Sequence, residues 1–206
     1  MPLHDWHDLA GWDGFRRVWI VDLLRGVQSR LPEDYRAHLG STPVADRDAS
    51  LEEPDIEAAT LTLDPQTAIF VTTQNRMVAV VELISPRNKD RPSSRNYYLS
   101  RYLGYLQEGA HLLLVDVHPR PLNFSFADAL AQELRIVQPP TPSPLAVTYR
   151  VGEPAATGGR MLAIWRRPLR AGVPLPVMQL PLSVHAAIAV DLEETYMRAA
   201  ATAYLL

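Results

Sequence analysis

Cysteine is absent from the 206-residue chain, which excludes a disulfide framework, a thiolate zinc site and a cysteine nucleophile in one stroke. Any metal must be held by oxygen or imidazole. Long apolar runs are also missing: none approaches the roughly 20 residues needed to span a bilayer. The first residues, Met1 to Asp8, carry His and Asp where a signal peptide would carry basic and then apolar residues. A cytoplasmic, soluble protein with no membrane partner is the expectation. Strong charge of one sign is lacking too. A net charge of -3 and a pI near 6.1 argue against general coating of nucleic acid, which needs a broad positive field. There is no Gly-rich phosphate loop of the P-loop or dinucleotide kind. Ser85 precedes a proline instead of sitting in a Gly-X-Ser-X-Gly elbow, so nothing suggests a serine hydrolase. No internal repeat is visible.

What is present is an alternation of helix-like and strand-like segments. "GWDGFRRVWIVDLLRGVQSRLP" sets Phe15, Val18, Trp19, Leu23, Val27 and Leu31 on one helical face, and Pro32 stops it. Tyr35 to Gly40 reads as a short strand. The polar "STPVADRDASLEEP" follows as a loop, and a strand is expected from Pro54. "AIFVTTQNRMVAVVELI" holds two β-rich runs around a turn at Gln74, Asn75 and Arg76. The second run is apolar on both faces, which places it in the middle of a sheet. Tyr98, Tyr102, Tyr105 and Leu106 fall at helical spacing, Gly109 suits a helix end, and His111 to Val117 is another buried strand. This order implies a mixed sheet flanked by helices.

Beyond Pro119, "VQPPTPSP" is an extended connector. "LAVTYRV" and "RMLAIWRRPL" are expected as a hairpin added to the sheet edge. "PLPVMQLPL" is an extended, proline-fixed segment, and "DLEETYMRAAATAYLL" a final helix with Asp191 as its N-cap. One α/β domain spanning 1–206 is expected. Its core runs over 12–117, and 118–206 adds C-terminal strands and a terminal helix.

Glu82 is the chemical anomaly. It ends a buried strand and is followed at once by "SPRNK". A carboxylate there is costly unless a cation, a metal ion or a hydrogen-bond donor answers it. Two readings stand: a metal ligand, or a structural ion pair with Lys89 or Arg101. Asp55, after Pro54, reads as a ligand or as a loop cap. Asp116 reads as a ligand or as a strand end bonded to nearby backbone. The window from Arg87 to Arg101 holds Arg87, Lys89, Arg91, Arg95 and Arg101 against the single acid Asp90, with Tyr97, Tyr98 and Tyr102 interleaved. Such a mixture could track a phosphate backbone and stack on bases. The other reading is a solvated helix start with its tyrosines in the core, since Tyr98 and Tyr102 fall on the helix face that should be buried; the residues left for nucleic acid are Arg87, Lys89, Arg91, Arg95 and Tyr97. His4, Asp5, His7 and Asp8 have ligand chemistry, but a terminal segment lacks a supporting shell.

The stretches "PDI" (Pro54 to Ile56), "VVELISPRNK" (Val80 to Lys89) and "YYLSRYLGYLQEGAHLLLVDV" (Tyr97 to Val117), with the opening "MPLHDW" and the closing "PLPVMQLPL…VDLEETY", resemble the bacterial family named domain of unknown function 4058 (DUF4058). The likeness covers nearly the whole chain. The pattern is similar, more distantly, to PD-(D/E)XK nucleases and their Uma2-like relatives, which implies a restriction-endonuclease-like fold. In that superfamily Asp55 and Glu82 would hold Mg²⁺ or Mn²⁺, and the metal would activate water against a phosphodiester. A Glu-X-Lys motif would need lysine at position 84, where the chain has Ile84. The resemblance therefore passes the cationic role to Lys89 or to Arg101, which occupies the place of the helix lysine of the Uma2-like relatives. Two functions follow as expectations. One is a Mg²⁺-dependent phosphodiesterase on nucleic acid. The other is a catalytically inactive descendant that binds nucleic acid or a protein partner. A homo-oligomer is compatible with both.

Overall fold

The computed structural model describes residues 3–6, 10–40, 67–154 and 158–203. Asp55, the strand expected from Pro54 and the loop before it lie outside the described residues, as do His7 and Asp8. Six strands form one sheet in the order β1 (Tyr35–Gly40), β2 (Ala68–Thr73), β3 (Arg76–Ile84), β4 (His111–Asp116), β5 (Leu145–Pro154) and β6 (Arg160–Pro168). All neighbours are antiparallel except β3 and β4, which run parallel. The expected mixed α/β sheet is present. The turn between β2 and β3 is one residue shorter than expected. Only Gln74 and Asn75 lie outside the strands, both with positive φ, 48° and 60°, as a two-residue hairpin of the primed type requires.

Parallel strands need a crossover. Here it consists of the single turn α2 (Pro86–Lys89) and the long helix α3 (Pro92–Gln107). Ser85 and Asn88 cap α2 reciprocally, and Pro92 opens α3 at the position where a missing N–H costs nothing. The helix thus starts earlier than its tyrosine spacing suggests. Gly109, at φ 86°, turns the chain out of it.

Alternation along β3 assigns the two faces of the sheet. Ala79, Val81 and Leu83 face α1 (Trp12–Gln28), α5 (Leu192–Thr202) and a two-stranded ribbon of β7 (Val177–Pro181) and β8 (Ala187–Asp191). Val80 and Ile84 face α3 and α4 (Phe126–Glu133). Both layers are apolar, as a central strand buried on both sides demands. The hairpin of β5 and β6 adds to the sheet beyond β4, as its sequence indicates. Neither α4 nor β8 is evident in the sequence. Ser125 caps α4 by accepting from the Asp128 N–H at 3.0 Å, and the eight-residue helix sits between proline-rich stretches that mask its periodicity.

Candidate functional site

Glu82 lies between Val80 and Ile84 on the α3 face of β3, with no solvent exposure. Its parallel neighbour across the ladder is Leu114. Arg101, on α3, brings Nη2 to 2.8 Å from Glu82 Oε1, with side chains 5% and 0% exposed. The contact has the distance of an ion pair without the alignment of a hydrogen bond, and neither carboxylate oxygen has a hydrogen-bond partner among the described residues. Arg101 is held in place from its other side. Its Nε donates to the Tyr105 hydroxyl at 2.7 Å, one helical turn on.

A second guanidinium acts on the same carboxylate through its charge. Arg16 extends from α1 to the point where the ladder between β2 and β3 stops, and donates to the carbonyls of Leu83 (3.2 Å) and Thr67 (3.3 Å). It therefore acts on Glu82 from the opposite layer through the end of the sheet. Burial pushes the Glu82 carboxyl up to about 7, and Arg101 and Arg16 together only partly pull it back. Burial works most strongly against charge on Arg101, but Glu82 together with the Tyr105 hydroxyl and Tyr102 outweighs it and holds the guanidinium above its ordinary value. Tyr102, fully buried beside this pair, is raised well above the phenol range, first by burial and then by the carboxylate.

Lys89 belongs to a different centre. Its ammonium is fully buried, donates to both oxygens of Asp116 (2.9 and 2.8 Å) and caps the His118 carbonyl at 2.8 Å. Asp116 also accepts from Ser143 Oγ at 2.5 Å and from the His118 N–H at 3.1 Å. The ring of His118 packs edge-on against Trp12 at 4.3 Å. Burial, and then the Lys89 charge, lower its midpoint to about 3, so it is neutral. Of the two partners the sequence offers Glu82, the structure selects Arg101. The expectation that Lys89 serves an exposed phosphate contact meets a side chain with 0% exposure. Asp116 ends β4 and accepts from the nearby His118 N–H, as one sequence reading has it, whereas its partnership with Lys89 is missed in the sequence and follows only from the parallel pairing of Ile84 with Asp116.

The remaining cations of the window are spread along the surface of α2 and α3. Arg87 is 70% exposed and pairs with Asp13 at 3.3 Å. Arg91, 52% exposed, lies 3.7 Å from Asp90 and donates to Ser94. Arg95 is half-buried, donates to the Lys89 carbonyl at 2.8 Å and covers the ring of Phe124. Tyr97 is exposed, while Tyr98 and Tyr102 are buried, as their helical spacing indicates.

Among the described residues, no group of three or more His, Asp or Glu side chains gathers to hold a metal ion, and no helix is long and apolar enough to cross a membrane. Comparison with protein-family models, with curated proteins and with solved structures finds no match to this chain.

Proposed function

We propose that the protein is a non-catalytic relative of the restriction-endonuclease-like proteins, akin to the DUF4058 and Uma2-like chains. In this reading its charged centre ties sheet to helix, and it binds nucleic acid through the outer face of α2 and α3. The observation that carries this reading is the pairing of Glu82 with Arg101. A divalent ion needs a surplus of negative oxygen. Glu82 instead pairs with the Arg101 guanidinium and feels the positive charge of Arg16, so the described surroundings are a poor fit for Mg²⁺. Arginine also stays protonated, and cannot take a proton from water as a lysine of lowered pKa can. The crossover of α3 between two parallel strands is compatible with the proposed fold, and fold alone implies no chemistry.

Arg87, Arg91 and Tyr97 offer two exposed cations and one aromatic face for a phosphate backbone and a base. The acids beside them, Asp13 and Asp90, form exposed pairs, worth roughly 0 to 1 kcal/mol each and readily exchanged for phosphate. The test is fluorescence anisotropy with labelled single-stranded DNA and RNA over a salt series. Replacing both arginines by serine should lower the salt slope by about 1.4, at about 0.7 per lost phosphate contact. No binding by the wild type rejects the nucleic-acid reading and leaves the protein partner. Incubation with Mn²⁺ should leave the strands intact. Cleavage that disappears in Glu82→Gln establishes the phosphodiesterase instead.

A further inference from the structure

On the opposite layer from α3, the β7–β8 ribbon stands over the outer strands of the sheet and leaves a cleft of about 380 Å³, within the range of small-ligand sites. Arg150 of β5 and Trp165 of β6 form its floor, with the guanidinium 5.5 Å from the indole centroid. Both point to this layer by strand alternation, since Thr148, the residue that faces Trp165 across the ladder, donates to the Gln179 carbonyl of β7 at 2.9 Å. Gln179 and the exposed His185 border the cleft, and none of its lining residues is acidic.

Arg150 is the unusual group. Its Nη1 donates to the Val184 carbonyl at 3.0 Å, while its Nε is buried without a hydrogen-bond partner. No carboxylate pairs with it among the described residues. The positive field is felt next door. His111, alongside on β4, is lowered to about 4, first by burial and then by the charges of Arg150 and Arg76. A guanidinium that no carboxylate neutralises among the described residues, an indole for stacking, and a side-chain amide that both donates and accepts are complementary to phosphate, planar base and base edge respectively.

The geometry points to this cleft as a binding site for a nucleoside monophosphate, with the phosphate on Arg150 and His185, the base on Trp165 and its edge on Gln179. This site is independent of the α2–α3 surface. Of the four tryptophans, Trp6, Trp12 and Trp19 are buried and Trp165 is half-exposed, so Trp165 is the residue whose emission a ligand there would change.

Titration of the whole chain with uridine monophosphate, uridine and inorganic phosphate, followed by tryptophan fluorescence and by calorimetry, tests the assignment. Saturable binding of the monophosphate is expected, with uridine at least about tenfold weaker, the factor that a charge-assisted contact supports. Arg150→Gln should weaken the monophosphate by a similar factor, and Arg135→Gln, at an exposed position just after α4 on the other layer, should leave it unaltered. If Arg150→Gln fails to fold, His185→Glu at the exposed rim must produce the weakening by charge repulsion. Absence of saturable monophosphate binding overturns the assignment. So does equal affinity for uridine, or equal affinity in the folded variants.

Discussion

Lys89 and Asp116 face each other at 2.8 Å with side chains 0% and 4% exposed, 27 residues apart, Lys89 in the turn of helix that follows β3 and Asp116 at the carboxyl end of β4. The pair joins three pieces of chain: the single-turn α2, the end of β4, and, through Ser143, the lead into β5. Two ions removed from water at this depth are stabilised only if every remaining donor and acceptor is answered. They are, by the His118 carbonyl, the His118 N–H and the Ser143 hydroxyl.

Removing one partner leaves the other charged and buried. Lys89→Met is therefore expected to cost about 3 to 5 kcal/mol, the range for breaking a buried pair. Urea denaturation at neutral pH measures this. A cost below about 1 kcal/mol would mean that the chain rearranges to hydrate Asp116, and that the pair does not hold these elements together.

Glu82 makes stability depend on pH in a direction opposite to that of an ordinary salt-bridged carboxylate. Its midpoint is about 7 in the folded chain against 4.5 ordinarily. Between these values the folded state retains a proton that the unfolded state has released. The contribution is fully present below about pH 4.5 and is lost as pH rises through about 7. The gap corresponds to roughly 3 to 4 kcal/mol, at about 1.4 kcal/mol for each pH unit between the two midpoints. Urea midpoints measured from pH 5 to pH 8 should fall in the wild type. In Glu82→Gln, which cannot titrate, this component should vanish. Parallel pH profiles for the two proteins would assign the midpoint elsewhere.

Arg16 is the less obvious partner of Glu82, because it comes from the other layer of the fold. Its two carbonyl contacts hold its charge where it favours the ionised carboxylate, so Arg16→Met should push the Glu82 midpoint above about 7. Carbon-13 shifts of the Glu82 carboxyl, followed against pH, report this directly. A lowered midpoint would show that water enters when the guanidinium leaves, and that Arg16 acts as a plug more than as a charge.

The elements legible in the sequence are those whose signal is local. Asp191 ahead of two glutamates announces a helix start, and its side chain accepts from the Glu194 N–H at 2.9 Å. The tyrosines of α3 show their buried face by spacing alone. The candidate site was half legible. The chain reveals that Glu82 needs a cation, but the choice between Lys89 and Arg101 depends on which strand runs beside β3 and which residue stands opposite Ile84. Those are long-range facts of register, and no local propensity encodes them. The same holds for β8, a five-residue strand defined by its pairing with β7, and for Arg16, whose helical position gives no hint that it bonds the strand-end carbonyls of Leu83 and Thr67.

Tyr196 on α5 anchors the first described residues of the chain. Its hydroxyl lies 3.1 Å from the His4 N–H, 2.6 Å from His4 Nδ1 and 3.1 Å from Trp6 Nε1. Its ring packs against Phe15 and Trp19 at 5.0 Å centroid separation. Burial raises the phenol to about 12, so the group stays neutral and available to donate or accept at physiological pH. Tyr196→Phe keeps the ring and removes only the oxygen that the N-terminal segment shares. The Trp6 indole N–H and the His4 amide then lose their acceptor, at a cost of about 1 to 3 kcal/mol for buried donors left unsatisfied. The loss should be local before it is global. Hydrogen exchange at His4 and Trp6 should quicken strongly while the amides of β3 and β4 hold their protection, because segments open in units set by their own contacts. Uniform acceleration throughout the chain would instead make the Tyr196 hydroxyl a support of the whole layer formed by α1 and α5.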